Sequence, residues 1–130
     1  MRVFCANRRR TGRFGHEYYR CGPAICGRFS WFKASHASDG APLVDRKNPD
    51  PNKQKRPLCG MEFVTGLMPA RDGTWTSGKI YSAGTGGFYD LDITKVEPNR
   101  LTERGYKGMR LFGKTFTLTR APADLPRCKP

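Results

Sequence analysis

The sequence lacks the apolar spacing of an amphipathic helix, because no segment repeats its apolar residues every three or four positions. It has no apolar run of about 18 residues, the length that a membrane-spanning helix requires. It also has no apolar stretch near its start that would indicate a signal peptide. These absences argue against helical bundles and helical membrane proteins, and they favour an all-β architecture.

Catalytic signatures are also scarce. There is no Gly-x-Ser-x-Gly elbow, and neither His16 nor His36 has a recognisable partner for base catalysis. Asp90 and Asp92 alternate with apolar residues, which indicates a solvated strand face rather than an acid–base pair. Residues 84–87 are glycine-rich but precede a predicted strand, so they lack the helix N-terminus of a phosphate-binding loop. The sequence therefore predicts a protein that is not an enzyme.

The chain does have many residues that favour turns. Its 15 glycines and 10 prolines punctuate short segments, which is typical of many strands joined by turns. A length of 130 residues suits one domain with a single core. We predict a poorly ordered basic arm over 1–13, one domain over 14–122 and a flexible tail over 123–130.

Period-two alternation locates the strands. It is clearest where Tyr89, Leu91 and Ile93 are predicted to face inward, and a bulge is predicted at Gly78. In the last strand Phe112, Phe116 and Leu118 are predicted to face inward. Successive hairpins leave exposed edges unless the sheet closes, so we predict a small antiparallel up-and-down meander barrel. The predicted strands span 14–20, 28–33, 61–67, 74–81, 88–96, 101–106 and 109–120.

A proline-rich connector at 45–60 is the least generic part of the sequence. Its three prolines exclude a helix or a central strand. Asn48 and Asp50 each precede a proline and favour a defined Asx-turn. We interpret Asp45, Asn48, Asp50 and Arg56 as structural residues, with Arg56 holding the connector across one end of the barrel.

The cysteines suggest one bridge. Cys21 and Cys26 flank a Gly-Pro turn that can bring their Cα atoms within about 6 Å, so we predict a structural disulfide. Cys5, Cys59 and Cys128 are left unpaired in this interpretation, with Cys59 acting as a small buried apolar residue. The scattered cysteines and histidines do not have the paired spacing of a zinc site. We expect no metal and no cofactor.

Aromatic residues are the candidates for ligand binding. Trp31, Trp75, Tyr81, Tyr106 and Phe116 are predicted at inward or rim positions, where they would hold a small apolar or aromatic ligand in the barrel mouth. The alternative is that these rings only fill the interior of the barrel. A protein partner at the mouth is the other form of binding that we consider. The oligomeric state is not determined by the sequence.

A formal net charge of +13 favours anionic partners. The basic residues cluster at Arg8-Arg9-Arg10 and again over 53–56. The alternative function is therefore a basic barrel of the OB type, whose aromatic face would stack single-stranded nucleic acid.

Several motifs along the chain are specific when taken together. They are Cys21-Gly22-x-x-Ile25-Cys26-Gly27 with Trp31, Asp45-x-x-Asn48-Pro49-Asp50-Pro51, Arg56-Pro57-Leu58-Cys59-Gly60, Trp75-x-x-Gly78-x-Ile80-Tyr81, Leu101-x-x-Arg104-Gly105-Tyr106, and Gly113-Lys114-Thr115 before Thr119-Arg120. With these motifs the chain resembles, over about residues 14–122, the bacterial domain of unknown function family twenty-one forty-seven. The resemblance implies a lipocalin-like barrel in a small secreted or periplasmic protein with no established catalytic activity.

The sequence departs from that family pattern in three places. Residues 1–13 show neither a signal peptide nor the Gly-x-Trp of a first strand, Tyr81-Ser82-Ala83 replaces Tyr-Asp-Pro, and Leu118 replaces an aromatic residue. The barrel is therefore expected to be open on one side where the first strand is missing. The expected location is the periplasm or the exterior, or the cytoplasm if the chain as given is complete.

Overall fold

The computed structural model describes residues 3–6, 14–32 and 43–120. Short 3₁₀ turns at Pro51–Lys53, Arg71–Gly73 and Arg110–Phe112 lie between the strands. The strands are β1 (Val3–Ala6), β2 (Phe14–Cys21), β3 (Ala24–Phe32), β4 (Glu62–Pro69), β5 (Trp75–Ser82), β6 (Gly87–Glu97), β7 (Arg100–Tyr106) and β8 (Lys114–Arg120).

The strands form a closed antiparallel barrel in which each strand pairs with the next along the chain, and β8 pairs back with β1. This confirms the predicted up-and-down meander. It does not support the OB alternative, because an OB-fold is a five-stranded Greek-key barrel. No helix in the part of the chain that the structure describes is long and apolar enough to cross a membrane.

The first strand corrects one expectation. Val3–Ala6, which we assigned to a poorly ordered arm, pair with both β2 and β8, so the barrel is not open on that side. Four residues are too few to show periodicity, whereas the unpaired edges of β2 and β8 provide hydrogen-bonding partners for them. The remainder of the predicted arm and the predicted tail over 123–130 lie outside the described residues.

Alternation positions the core as predicted along β6, where Leu91 and Ile93 are buried. Asp92 is an exception, because it was expected on a solvated face and is buried instead. Arg110 Nε donates to Asp92 Oδ2 at 2.7 Å and Thr76 Oγ1 donates to Oδ1 at 2.7 Å. The connection between β7 and β8 folds over this part of β6 and supplies the arginine.

The predicted bulge near Gly78 is confirmed, since the register between β5 and β6 shifts between Trp75 and Gly78. A Cβ atom at Gly78 would lie only 2.6 Å from Leu67 Cδ2, so this close approach requires glycine. The last strand begins later than predicted. Phe112 lies in a 3₁₀ turn and is exposed, so its predicted inward position is wrong.

The Cys21–Cys26 disulfide is confirmed and closes the β2–β3 turn with a Cα–Cα distance of 5.8 Å. Cys59 is half-buried and is itself disulfide-bonded, so the expectation of an unpaired apolar cysteine is wrong. Sequence spacing indicates only local pairs, and no other cysteine is close to Cys59 in the sequence. The Cys5 side chain, Cys128 and His36 lie outside the described residues.

Because neighbouring strands are antiparallel, their ends fall into two groups. The C-terminal ends of β1, β3, β5 and β7 lie together at one end of the barrel, which we call the mouth end. The C-terminal ends of β2, β4 and β6 lie at the opposite end, which we call the floor end. The proline-rich connector belongs to the mouth end.

Candidate ligand-binding cavity

A cavity of about 1000 Å³ lies in the mouth half of the barrel. Its wall is largely aromatic, because inward positions near the mouth ends of β2, β3 and β4 carry phenylalanine. Phe29 and Phe63 stack with ring centroids 4.0 Å apart, and Phe14 meets Phe29 edge-on at 5.3 Å. Leu67 and Leu101, which are buried in the core cluster, fill the interior below it. The cavity is therefore a one-ended apolar pocket rather than a channel.

A glycine on β7 helps to make room for the cavity. Leu101, Glu103 and Gly105 alternate toward the interior, and Gly105 is the member nearest the mouth. A Cβ atom at Gly105 would make only an ordinary contact of 3.7 Å with the Phe116 ring. The space beside Gly105 is thus open to a larger group.

Glu103 is a buried carboxyl group in the cavity wall. Tyr18 donates a hydrogen bond from its hydroxyl to Glu103 Oε1. No hydrogen bond reaches the second oxygen, Oε2, from the residues that the structure describes. Burial raises the pKa of Glu103 to about 7, and the Tyr18 hydrogen bond opposes this rise. Glu103 therefore exchanges its proton close to neutral pH.

His16 also lies in the cavity wall and is 2% exposed. Its ring makes edge contacts with Tyr18 at 5.0 Å and Phe63 at 5.2 Å between ring centroids. Neither Nδ1 nor Nε2 has a hydrogen-bond partner in the described part of the chain. Burial lowers the pKa of His16 to about 3, so the imidazole is neutral.

The five aromatic residues predicted to bind a ligand divide into two groups. Tyr81, Tyr106 and Phe116 line the cavity. Trp75 packs against the core near the floor end, and Trp31 is half-buried outside the cavity. A register shift opposite Gly15 and His16 changes the alternation of β3, so Phe32 joins the cavity wall in place of Trp31.

Sequence reasoning missed the buried polar residues of the wall. Glu103 and Gly105 follow the inward Leu101 with a period of two, and that signal was available in the sequence. His16 is harder to identify, since a lone histidine in an aromatic strand carries no special spacing. Its inward position follows from alternation with Phe14 and Tyr18 along β2.

Asp45 is the centre of the connector at the cavity mouth. Tyr81 donates its hydroxyl to Asp45 Oδ1 at 2.7 Å, and Asn48 Nδ2 donates to Oδ2 at 2.7 Å. Arg56 lies 3.5 Å from the same oxygen. Asp45 is buried, so these three partners offset the cost of removing its charge from water. Through Tyr81, the connector is tied directly to a residue of the cavity wall.

Local hydrogen bonds give the connector a defined shape. Asn48 Oδ1 accepts from the Asp50 backbone at 2.8 Å, and Asp50 Oδ1 caps the following 3₁₀ turn by accepting from Asn52 N at 3.0 Å. Lys47 Nζ donates to the carbonyl oxygen of Gly84 at 2.8 Å in the β5–β6 hairpin. The connector therefore lies across part of the mouth as an ordered cover.

The comparisons with known proteins agree with this geometry. No curated protein matches the sequence. Among solved structures, the fold is similar to protein HP1028 from the human pathogen Helicobacter pylori, which is described as belonging to the lipocalin family. The TM-score is 0.78 at 19% identity, over 94% of this chain and 82% of that chain. An identity this low shows the fold alone, which is lipocalin-like.

The family resemblance is also confirmed. The profile of DUF2147, a family described as uncharacterized and conserved in bacteria, matches residues 8–120. That match covers most of the sequence, and the chain therefore belongs to the bacterial DUF2147 family.

Proposed function

We propose that this protein binds a small, largely apolar molecule inside the barrel and acts as a carrier or sequestering protein, not as an enzyme. The aromatic-lined cavity of about 1000 Å³ is the observation that carries the proposal. Pockets for small molecules are commonly concave, mostly apolar and supplied with a few polar groups, and their volumes reach this size. The lipocalin-like fold supports the same conclusion.

The polar groups in the wall indicate what the buried end of the ligand carries. Glu103 Oε2 accepts no hydrogen bond from the described residues and is available to a donor on the ligand. A ligand carboxylate placed there would be repelled by an ionised Glu103 in a medium of low dielectric constant. The proposed ligand therefore ends in an uncharged donor such as a hydroxyl or an amide.

We also propose that the protein functions outside the cytoplasm. The disulfide between Cys21 and Cys26 and the disulfide bond of Cys59 support this location. Disulfides persist in oxidising compartments such as the periplasm and are rare in the cytosol.

The cavity is tested with N-phenylnaphthylamine, a dye whose fluorescence rises in apolar surroundings. Saturable binding to the wild-type protein is expected. Gly105→Trp should weaken it by about tenfold or more, because an indole ring would occupy the space into which the dye binds. Thr65→Trp is the matched control, since Thr65 is exposed on a strand outside the cavity. Circular dichroism checks that both variants fold.

Equal dye binding by the wild type and Gly105→Trp would refute the cavity as the binding site.

Displacement of the dye at pH 8 then tests which chemical group the ligand carries at its buried end. A long-chain alcohol should displace it better than the carboxylate of equal length, and Glu103→Gln should reduce this preference. A preference that Glu103→Gln leaves unchanged would show that Glu103 does not contact the ligand.

A further inference from the structure

Large apolar side chains are exposed mainly at one end of this barrel. Leu111 and Phe112 are each 76% exposed and lie together in the β7–β8 connection. Two of the exposed large apolar residues in the described chain, Met68 and Val96, lie toward the floor end. Those at or near the mouth end are Phe88, Met109, Leu111, Phe112 and Phe116. Large apolar side chains exposed together at one end of a protein are typical of interaction surfaces.

The connection that presents Leu111 and Phe112 is held in place by hydrogen bonds. Arg104 Nε donates to the carbonyl oxygen of Arg110 at 2.9 Å, and its Nη1 donates to Thr115 Oγ1 at 2.8 Å. Arg110 is in turn bound to the buried Asp92. The two apolar side chains therefore project from a folded connection whose backbone is fixed by hydrogen bonds.

The surrounding charge is strongly asymmetric. In the described connections of the mouth end, seven Lys and Arg residues accompany only Asp45 and Asp50. In the connections of the floor end, one basic residue, Arg71, accompanies one acidic residue, Asp72. The basic residues of the mouth end are Arg46, Lys47, Lys53, Lys55, Arg56, Lys107 and Arg110, and Lys114 follows at the start of β8.

We infer that the mouth end docks onto an anionic lipid bilayer, with Leu111 and Phe112 inserted at the interface and the surrounding basic residues against the lipid phosphates. Basic residues near an anionic membrane surface attract it, and apolar side chains at the interface add affinity that salt does not screen. A projecting apolar tip suits a fluid surface that closes around it, whereas a stable protein interface needs a broad complementary face. The basic residues of the mouth end favour an anionic over a neutral lipid surface.

Docking in this orientation would turn the cavity opening toward the bilayer. Phe112 and Lys107 both line the cavity and belong to the connection proposed to contact lipid. An apolar ligand would then pass between membrane and barrel without crossing bulk water. The docking itself needs no ligand, so it is tested separately from the binding function.

The test is co-sedimentation with vesicles of phosphatidylglycerol mixed with phosphatidylcholine, compared with vesicles of phosphatidylcholine alone. The full chain is expected to bind the anionic vesicles and to retain weaker binding at high salt. Replacing Leu111 and Phe112 by serine should lower the partition coefficient by more than about tenfold. Neutralising Lys107 and Lys114 to glutamine should lower it by about fivefold for each lysine.

Val96→Ser is the matched control, because Val96 is an exposed apolar residue toward the floor end. It should leave vesicle binding unchanged. A Phe112→Trp variant adds a direct readout, since brominated lipids should quench an inserted indole. Absence of binding to anionic vesicles, or equal losses in Val96→Ser and the double-serine variant, would overturn the inference. Gly105→Trp should still bind vesicles, which separates failure of docking from failure of the cavity.

Discussion

Replacing Glu103 by glutamine should make the protein more stable at alkaline pH. The glutamine side chain resembles the protonated carboxyl group and can still accept the Tyr18 hydrogen bond. It cannot ionise. The substitution therefore removes the cost of burying a charge at Glu103 while leaving the shape of the cavity wall almost unchanged.

The magnitude follows from the pKa of Glu103. Burial raises that pKa from its ordinary value of 4.5 to about 7. As pH rises, the unfolded chain loses this proton first, so the folded state loses stability between pH 4.5 and 7. The loss amounts to about 3 kcal/mol above pH 7 and vanishes below pH 4.5. Glu103→Gln should thus be about 3 kcal/mol more stable than the wild type at pH 8 and nearly equal at pH 4.

Urea unfolding at several pH values measures this difference, with the disulfides kept oxidised. For a domain of this size, about 3 kcal/mol corresponds to a rise of roughly 1–3 M in the urea midpoint. His16 also titrates differently in the folded state, but its low pKa affects both proteins equally and cancels in the comparison.

Glu97→Gln is the control for this experiment. Glu97 is half-buried and its hydrogen bond with Arg100 lowers its pKa, so its replacement should give no stabilisation at alkaline pH. A stability difference for Glu103→Gln that stays constant from pH 4 to pH 8 would refute the reasoning. So would a variant less stable than the wild type at pH 8.

Three further substitutions test the connector and the floor end. Tyr81→Phe removes a hydrogen bond to the buried Asp45 and should cost about 1–3 kcal/mol, measured by urea unfolding; an unchanged midpoint would contradict the role of this bond. Gly86→Ala should lower Tm, because the φ of 76° at this position is unfavourable for alanine and the new Cβ would lie 2.1 Å from the Lys47 carbonyl oxygen. An unaltered Tm would mean that the β5–β6 hairpin can shift to relieve this contact. Replacing both cysteines of the β2–β3 disulfide by alanine should cost about 2 kcal/mol for so short a loop, and a larger loss would indicate that the bridge does more than restrict the unfolded chain.

Much of the fold could be predicted because the alternation of apolar residues is local. Leu91 and Ile93 face inward because they alternate along one strand, and the Gly78 bulge follows from the opposite parity of Trp75 and Ile80. The Cys21–Cys26 bridge spans a single turn, so its geometry was also available from spacing.

The candidate site could be predicted less well, since it depends on register and on contacts between distant segments. The register shift between β2 and β3 places Phe32 instead of Trp31 in the cavity wall, and no residue of β3 indicates this shift in the sequence. The burial of Asp92 depends on Arg110, which lies in a connection that alternation describes as part of a strand. Long-range ion pairs of this kind leave no periodic pattern.

Closure by a four-residue strand gives this cylinder a seam. β1 has four residues, whereas the other described strands have seven to eleven, so β1 is the strand most easily detached from its neighbours. Among the strands, amide hydrogen exchange should be fastest in β1. Local detachment of β1 would open the barrel wall between β2 and β8 while the other strands stay paired. Detachment of β1 would also expose the unpaired edges of β2 and β8, which can pair with strands of another molecule. Loss of the first few residues should therefore promote self-association.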